Sequence, residues 1–210
     1  RLVEDESVVA SWGALWREAY MDNILMINNS KDAFGITFAY LGLPINAEST
    51  EQVDKAVVLL KEQKKVIQAY VADEVFDKMI GGEAAMAPYY NGDAVTMIDD
   101  NPDLAFYVPK EGTNLFVDAM CIPKGAENKE NAEAFINFMC STQAGLKNCE
   151  ETWYSTPLLS VRKELDAEVV DDPFAYPDQD FMDNQCETFA CLPAQIRTLY
   201  NDQWVRLMNN

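Results

Sequence analysis

Leu104-Ala-Phe-Tyr-Val-Pro-Lys-Glu-Gly-Thr-Asn-Leu-Phe-Val-Asp-Ala-Met-Cys-Ile-Pro-Lys-Gly125 reads as two short apolar strands, 104–108 and 116–122. A Pro109-Lys-Glu-Gly112 turn separates them, because proline pre-sets the turn's φ and glycine accepts a positive one. Asp118 sits inside the second run, among Phe116, Val117, Ala119 and Met120. A carboxylate there is costly to desolvate, so it lies at a surface or meets a cation. That makes Asp118 the first candidate functional residue.

Outward from this stretch, the same alternation of short strands and helices recurs. Asn23 to Asn29 is strand-like and runs into a helix with Phe34, Phe38 and Leu41 on one face, stopped by Gly42 and Pro44. Asn29 or Ser30 caps the helix or meets a ligand, and Asp32 falls in the first turn, where it complements the helix dipole or meets a ligand. Glu83 to Ala87 reads as a buried strand ending in Pro88-Tyr-Tyr-Asn-Gly-Asp93, a second strand-to-helix turn. Adjacent tyrosines diverge, so one lines a cleft and its neighbour packs; Tyr90 is the cleft candidate, with Asn91-Gly92 as a tight turn. Such turns at the carboxyl ends of strands are where open α/β sheets hold ligands.

The remaining segments read as cover. Ser11 caps a helix with Trp12, Leu15 and Trp16 on one face, and Ser49-Thr-Glu-Gln52 is a capping box for a helix that turns Val53, Val57 and Leu60 inward. Asp73 to Ile80 is a short helix ended by Gly81-Gly82. Asn128 to Met139 is a helix with Ala132, Phe135, Ile136 and Met139 in register, followed by another from Thr142 through Glu151. Trp153-Tyr-Ser-Thr-Pro157 is an aromatic loop, and the Asp- and Pro-rich stretch 165–184 an irregular excursion. Pro193 opens a last helix, with Ile196, Tyr200, Trp204 and Leu207 on its apolar side. The pattern as a whole is α/β with a mixed sheet.

Composition narrows the chemistry. With 35 acidic and 16 basic residues among 210, the formal charge is −19. That excess repels nucleic acid and anionic membranes, attracts small cations, and also serves plain solubility. The chain has no histidine, which removes His-dependent triads and most transition-metal sites. The five cysteines, 121, 140, 149, 186 and 191, follow no zinc spacing and read as buried free thiols, with a Cys186–Cys191 bridge as the alternative. No cofactor motif is present, and no signal peptide or membrane span is read. The opening on Arg1-Leu-Val without methionine reads as a processed or excised piece.

Gathering the strand-end loops gives Asn29, Asp32, Tyr90, Phe116, Asp118 and Tyr154: carboxylates beside aromatic rings, with no nucleophile in frame. This is chemistry for holding an ammonium group. The rival readings are an enzyme using Asp32 and Asp118 as acid and base, and an acidic interaction domain without a small-molecule site.

At this point the sequence resembles the polyamine-binding solute receptors of ABC transporters, the spermidine/putrescine-binding proteins. The matching pieces run nearly end to end: Ser11 to Trp16, Asn29 to Phe34 with Leu41-Gly42, Gly82-Glu83 with Tyr90-Asn-Gly92, and Val108 to Gly112 leading to Asp118. Further on come Ile122-Pro123, Asn128 to Glu130, Ile136 to Phe138, and Tyr154 to Pro157. The resemblance implies a hinged, two-lobed fold of the type II periplasmic-binding-protein kind, with no enzymatic activity, that closes on spermidine or putrescine. It implies permease subunits as partners and a place in the periplasm or on the outer face of a bacterial membrane. Asp118 and Asp32 match acids for amines, Asn29 replaces what can be an aspartate, and Tyr154 matches a cleft aromatic. Tyr90 and Phe116 stand where known members carry tryptophans. Relative to the family, a long amino-terminal part is missing. Residues 1–117 and 163–210 would then form the second lobe, and 118–162 a hinge crossing with part of the first. A same-fold receptor for another solute, and self-association of the piece, are the alternatives carried forward.

Overall fold

The computed structural model describes residues 2–209. Its centre is β1 (Ile24–Ile27), buried at every position, as a strand covered on both faces must be. It pairs in parallel with β2 (Ile67–Val71). Two helices join them. α1 (Ser30–Tyr40) starts at Asn29, whose side chain accepts from the Lys31 amide at 2.9 Å, and it buries Phe34 and Phe38 completely. Leu41, expected on that inner face, is instead exposed, because the helix ends at Tyr40 and Gly42, at φ +68°, turns the chain away. α2 (Thr50–Gln63) carries the expected capping box and buries Val53, Val57 and Leu60.

The alternating residues of β1 divide the interior. Ile24 and Met26 face a large cluster with α1, α2 and the carboxyl-terminal helix, while Leu25 faces a smaller one containing Val71, Val75, Ala94 and Met97. α3 (Glu74–Ile80) and α4 (Asn91–Asp100) cover the second cluster. The strand expected at Glu83 to Ala87 makes a single bridge, Met86 to Ile24. Asn91-Gly92 is the first turn of α4 rather than a tight turn.

The organising stretch differs most from expectation. Leu104 to Val108 is extended but joins no ladder, and the second strand comes earlier than read: β3 (Thr113–Leu115) pairs in parallel with β4 (Cys186–Thr188). Residues 116–121 are exposed and unpaired, since among the described residues no strand lies beside them to accept a ladder. The expected mixed sheet takes the form of these short parallel pairs. The turn between is as expected, with the Gly112 amide donating to Pro109 at 3.0 Å and Gly112 at φ +91°. It clamps the start of the chain: the Glu111 carboxylate accepts from Ser11 Oγ and, at 3.2 Å, from the Trp12 amide, while Trp12 Nε1 donates to the Gly112 carbonyl at 2.8 Å. Trp12–Trp16 itself is a 3-10 helix.

α5 (Lys129–Met139) buries no residue, and Phe135 and Phe138 are 57% and 61% exposed. α6 (Thr142–Thr152), capped by Ser141, packs on α7 (Leu159–Arg162) through Val161. The stretch read as irregular holds two short helices, α8 (Ala167–Val170) and α9 (Gln179–Gln185). α10 (Ala194–Asn209) docks as expected through Ile196, Tyr200 and Leu207, with the Tyr200 ring 4.5 Å from that of Phe34. All five cysteines are free, but of these only Cys149 is buried; Cys121, Cys140 and Cys191 are exposed. They sit on helix ends and loops outside the two clusters, so the reading as buried thiols fails for them. No described helix is long and apolar enough to cross a membrane.

Candidate functional site

Two helix amino ends meet at one row of rings. α1 begins at Asn29 and carries Asp32 in its first turn; α4 begins at Tyr90 and carries Asp93 in the same place. The Tyr90 hydroxyl donates to Asp32 Oδ2 at 2.8 Å and so ties the two starts together. From Tyr90 the rings continue edge to face, to Phe116 at 5.4 Å and from Phe116 to Tyr154 at 6.1 Å. Tyr89 packs edge-on to Phe76 at 6.2 Å and also borders the small cavity beside Tyr90, so the expectation that only one of the pair meets the cleft does not hold.

Tyr154 lies flat on the start of α4. A Cβ at Gly92 would come within 2.6 Å of its ring, which is why glycine is needed there. From this seat Tyr154 lies close enough to Asp93 for each to perturb the other's ionisation. The row therefore has a tyrosine–aspartate pair at each end and Phe116 between them. Beside Asp32 and Tyr90 lies a small cavity of about 50 Å³, also lined by Trp12, Ile36, Asn114 and Phe189.

The electrostatics follow from half-burial with no direct ion pair to either carboxylate among the described residues. Burial raises the Asp32 carboxyl above its ordinary value, offset in part by the Tyr90 hydrogen bond and by Lys31. Asp93 is raised for the same reason; the neighbouring Tyr154 hydroxyl opposes the shift and the charge of Asp73 adds to it. Burial, then the hydrogen bond and charge of Asp32, push the Tyr90 hydroxyl far up, while the Asn29 side chain works in the opposite direction. Burial and the Asp93 carboxylate push Tyr154 up likewise. Both phenols therefore stay neutral donors. A helix amino end favours the ionised carboxylate while burial disfavours it, and a cation beside either aspartate relieves that cost. Among the described residues no group of three His, Cys, Asp or Glu is placed to hold a metal.

Five of the six candidates from sequence thus converge: Asn29, Asp32, Tyr90, Phe116 and Tyr154. Asp118 does not. It is exposed, two residues beyond Phe116, and no hydrogen bond or ion pair among the described residues joins it to the row. Asp93 was missed, although the signal was present: it stands three residues after Tyr90, as Asp32 stands three after Asn29, each at the third helical position past an extended run.

The spermidine/putrescine-binding periplasmic proteins of Salmonella typhimurium and Escherichia coli are each 29% identical to the chain, over 174 and 180 residues, or 83% and 86% of it. The chain spans about half the length of these relatives, 50% and 52%. Among solved structures, a protein assigned to a spermidine/putrescine ABC transporter of Listeria monocytogenes superposes with a TM-score of 0.89 at 30% identity, over 95% of this chain and 61% of that one. The spermidine/putrescine ABC transporter substrate-binding protein of Streptococcus pneumoniae gives 0.81 at 30% identity, over 99% and 63%. The family model for bacterial extracellular solute-binding proteins matches residues 2–185. The chain, with its α/β architecture and a ring-lined pair of helix starts, therefore belongs to the bacterial extracellular solute-binding protein family.

Proposed function

We propose that this chain forms the polyamine-holding part of the solute receptor of an ABC importer. The observation that carries the reading is the row Tyr90–Phe116–Tyr154 with a desolvated carboxylate, Asp32 or Asp93, at either end. Methylene chain lies along the rings, and ammonium groups meet the carboxylates by charge-assisted hydrogen bonds and ring-face contact. The names of the relatives, spermidine- and putrescine-binding, agree with that chemistry.

In this reading residues 1–117 and 163–210 form one lobe, and 118–162 cross a hinge into the other. Asp118 and Asn29, both exposed, then reach the ligand on closure. The exposed Phe135 and Phe138 of α5 face the rest of the other lobe, or a second copy where that lobe is absent. The receptor works outside the cytoplasmic membrane, delivers to permease subunits and performs no chemistry on its ligand.

Calorimetric titration with spermidine and putrescine, at low and moderate salt, tests this. One-to-one binding that survives moderate salt and collapses in both Asp32→Asn and Asp93→Asn is expected. Heat that vanishes with salt, equal in the variants, would mean only that an acidic surface attracts polycations.

A further inference from the structure

The ring row is held unequally at its two ends. At one end the Tyr90 hydroxyl donates to Asp32 at 2.8 Å. At the other, Tyr154 lies in a loop, 154–157, in which no backbone–backbone hydrogen bond is made among the described residues. The loop begins directly after α6, which Trp153 ends at φ +57°. It is fastened from outside: the Thr156 amide donates to the Tyr176 hydroxyl at 3.2 Å, and the Arg162 guanidinium, a few residues further on, lies over the Tyr176 ring at 4.5 Å.

Tyr176 closes a short strap, Asp172-Pro-Phe-Ala-Tyr176, within the stretch that read as an irregular excursion. Its own bonds stiffen it. Pro173 fixes one φ, the Asp172 carboxylate accepts from the Phe174 amide at 2.8 Å, and the Asp172 carbonyl accepts from the Tyr176 amide at 2.8 Å. The other anchor of the strap is α4. Asn91 Nδ2 donates to the Phe174 carbonyl at 2.9 Å, and the Phe174 ring stands edge-on to Phe106 at 5.2 Å, a residue packed on the second cluster. Asn91 directly follows Tyr90, and Thr156 stands two residues after Tyr154. The strap therefore joins the two ends of the row by a route separate from the rings' own contacts, and its length sets how far the Tyr154 loop stands from α4.

We propose that the strap 172–176 is a positioning element of the ligand site: through Phe174 on α4 and Tyr176 on the 154–157 loop it seats the Tyr154 ring on Gly92 beside Asp93, and so fixes the spacing that a linear diammonium chain must match between Asp32 and Asp93. Phe174 and Tyr176 act through Tyr154 and not by touching the ligand. The seating of Tyr154 rests on the fold alone, whereas its consequence for diammonium spacing rests on the polyamine reading.

Fluorine NMR of the chain labelled with meta-fluorotyrosine tests the seating without ligand. The Tyr154 resonance, assigned by its loss in Tyr154→Phe, is expected to move toward the position of free fluorotyrosine in Tyr176→Phe and in Phe174→Ala, a ring that is 40% exposed, while far-ultraviolet circular dichroism stays that of the folded parent. Calorimetry with spermidine and putrescine then reads the consequence. Tyr176→Phe is expected to weaken binding about 3–10-fold, the worth of one half-buried hydrogen bond, and to weaken it no further in a Tyr154→Ala background, because the strap acts through that ring. A Tyr154 resonance that stays in place in both folded variants would overturn the proposal, and so would a Tyr176→Phe effect that persists undiminished without the Tyr154 ring. A parent chain that binds neither polyamine would overturn the polyamine reading instead, while the fluorine shift still decides the strap.

Discussion

Phe116→Ala tests the ring row at its middle. The side chain is 37% exposed and meets its neighbours edge to face at 5.4 and 6.1 Å. Each such contact contributes about 0.5–1.5 kcal/mol; with this much exposure and unhindered relaxation of the neighbours, we expect about 1 kcal/mol of lost fold stability. That corresponds to roughly 2–4 °C in melting temperature for a chain of this size. The loss in binding is larger in proportion. A bound polyamine loses the ring face against its methylenes and the cation–ring attraction, about 0.5–2 kcal/mol. Without Phe116 the two tyrosine–aspartate pairs are also no longer bridged. A total of about 1–2 kcal/mol weakens the dissociation constant roughly 5–30-fold. Phe116→Trp is the counter-test, because indole has the stronger face for a cation, and tighter binding is expected. Calorimetry at moderate salt, paired with thermal unfolding of each variant, measures both. A folded Phe116→Ala protein that binds spermidine and putrescine within twofold of the parent would refute the row as the ligand platform.

Three further outcomes follow from the same structure. Burial raises Asp32 and Asp93 in the folded state, so the native chain holds more protons than the unfolded chain at mildly acid pH. Stability of the ligand-free protein therefore falls as pH rises from the ordinary carboxyl range through the raised one. Thermal melts across that range should show the slope, and Asp32→Asn should flatten it; a steeper slope in the variant would contradict the assignment. Polyamine binding needs the ionised carboxylates and should weaken as pH drops into the same range, with proton release on binding detectable by comparing buffers of different ionisation heat. Gly112→Ala should cost at least about 2 kcal/mol in urea unfolding, because φ is +91° and the new Cβ would lie 2.5 Å from the Gln185 carbonyl oxygen; a neutral result would mean the turn relaxes freely.

Local chemistry made much of this legible beforehand. The Asn29 cap, the Ser49–Gln52 capping box, the Pro109–Gly112 turn and the inward faces of α1, α2 and α10 each depend on residues within a few positions of one another. Asn29, Asp32 and Tyr90 were candidates because strand-to-helix turns announce themselves by composition, and the structure brings them together with Phe116 and Tyr154. Asp118 was given the leading place because its neighbours are apolar, but apolar neighbours in sequence need not be buried: Val117 is 80% exposed and Met120 49%. Burial is a property of what lies alongside, and among the described residues no strand lies beside 116–121.

The same distinction separates what the two levels decide. The amino-acid sequence by itself determined the α/β class, the capped starts of α1 and α2, the absence of histidine chemistry and the acid-and-aromatic character of the site, since these rest on periodicity, caps and residue types. Only the tertiary structure decided that Tyr154 sits on Gly92 beside Asp93, that Tyr90 joins α4 to Asp32, and that Glu111 clamps Ser11 and Trp12. Each of those contacts closes a loop of some sixty to a hundred residues. Which partners meet is then set by how whole elements pack, and so is whether an extended run such as 104–108 becomes a strand, because a ladder needs a second backbone that no local pattern supplies.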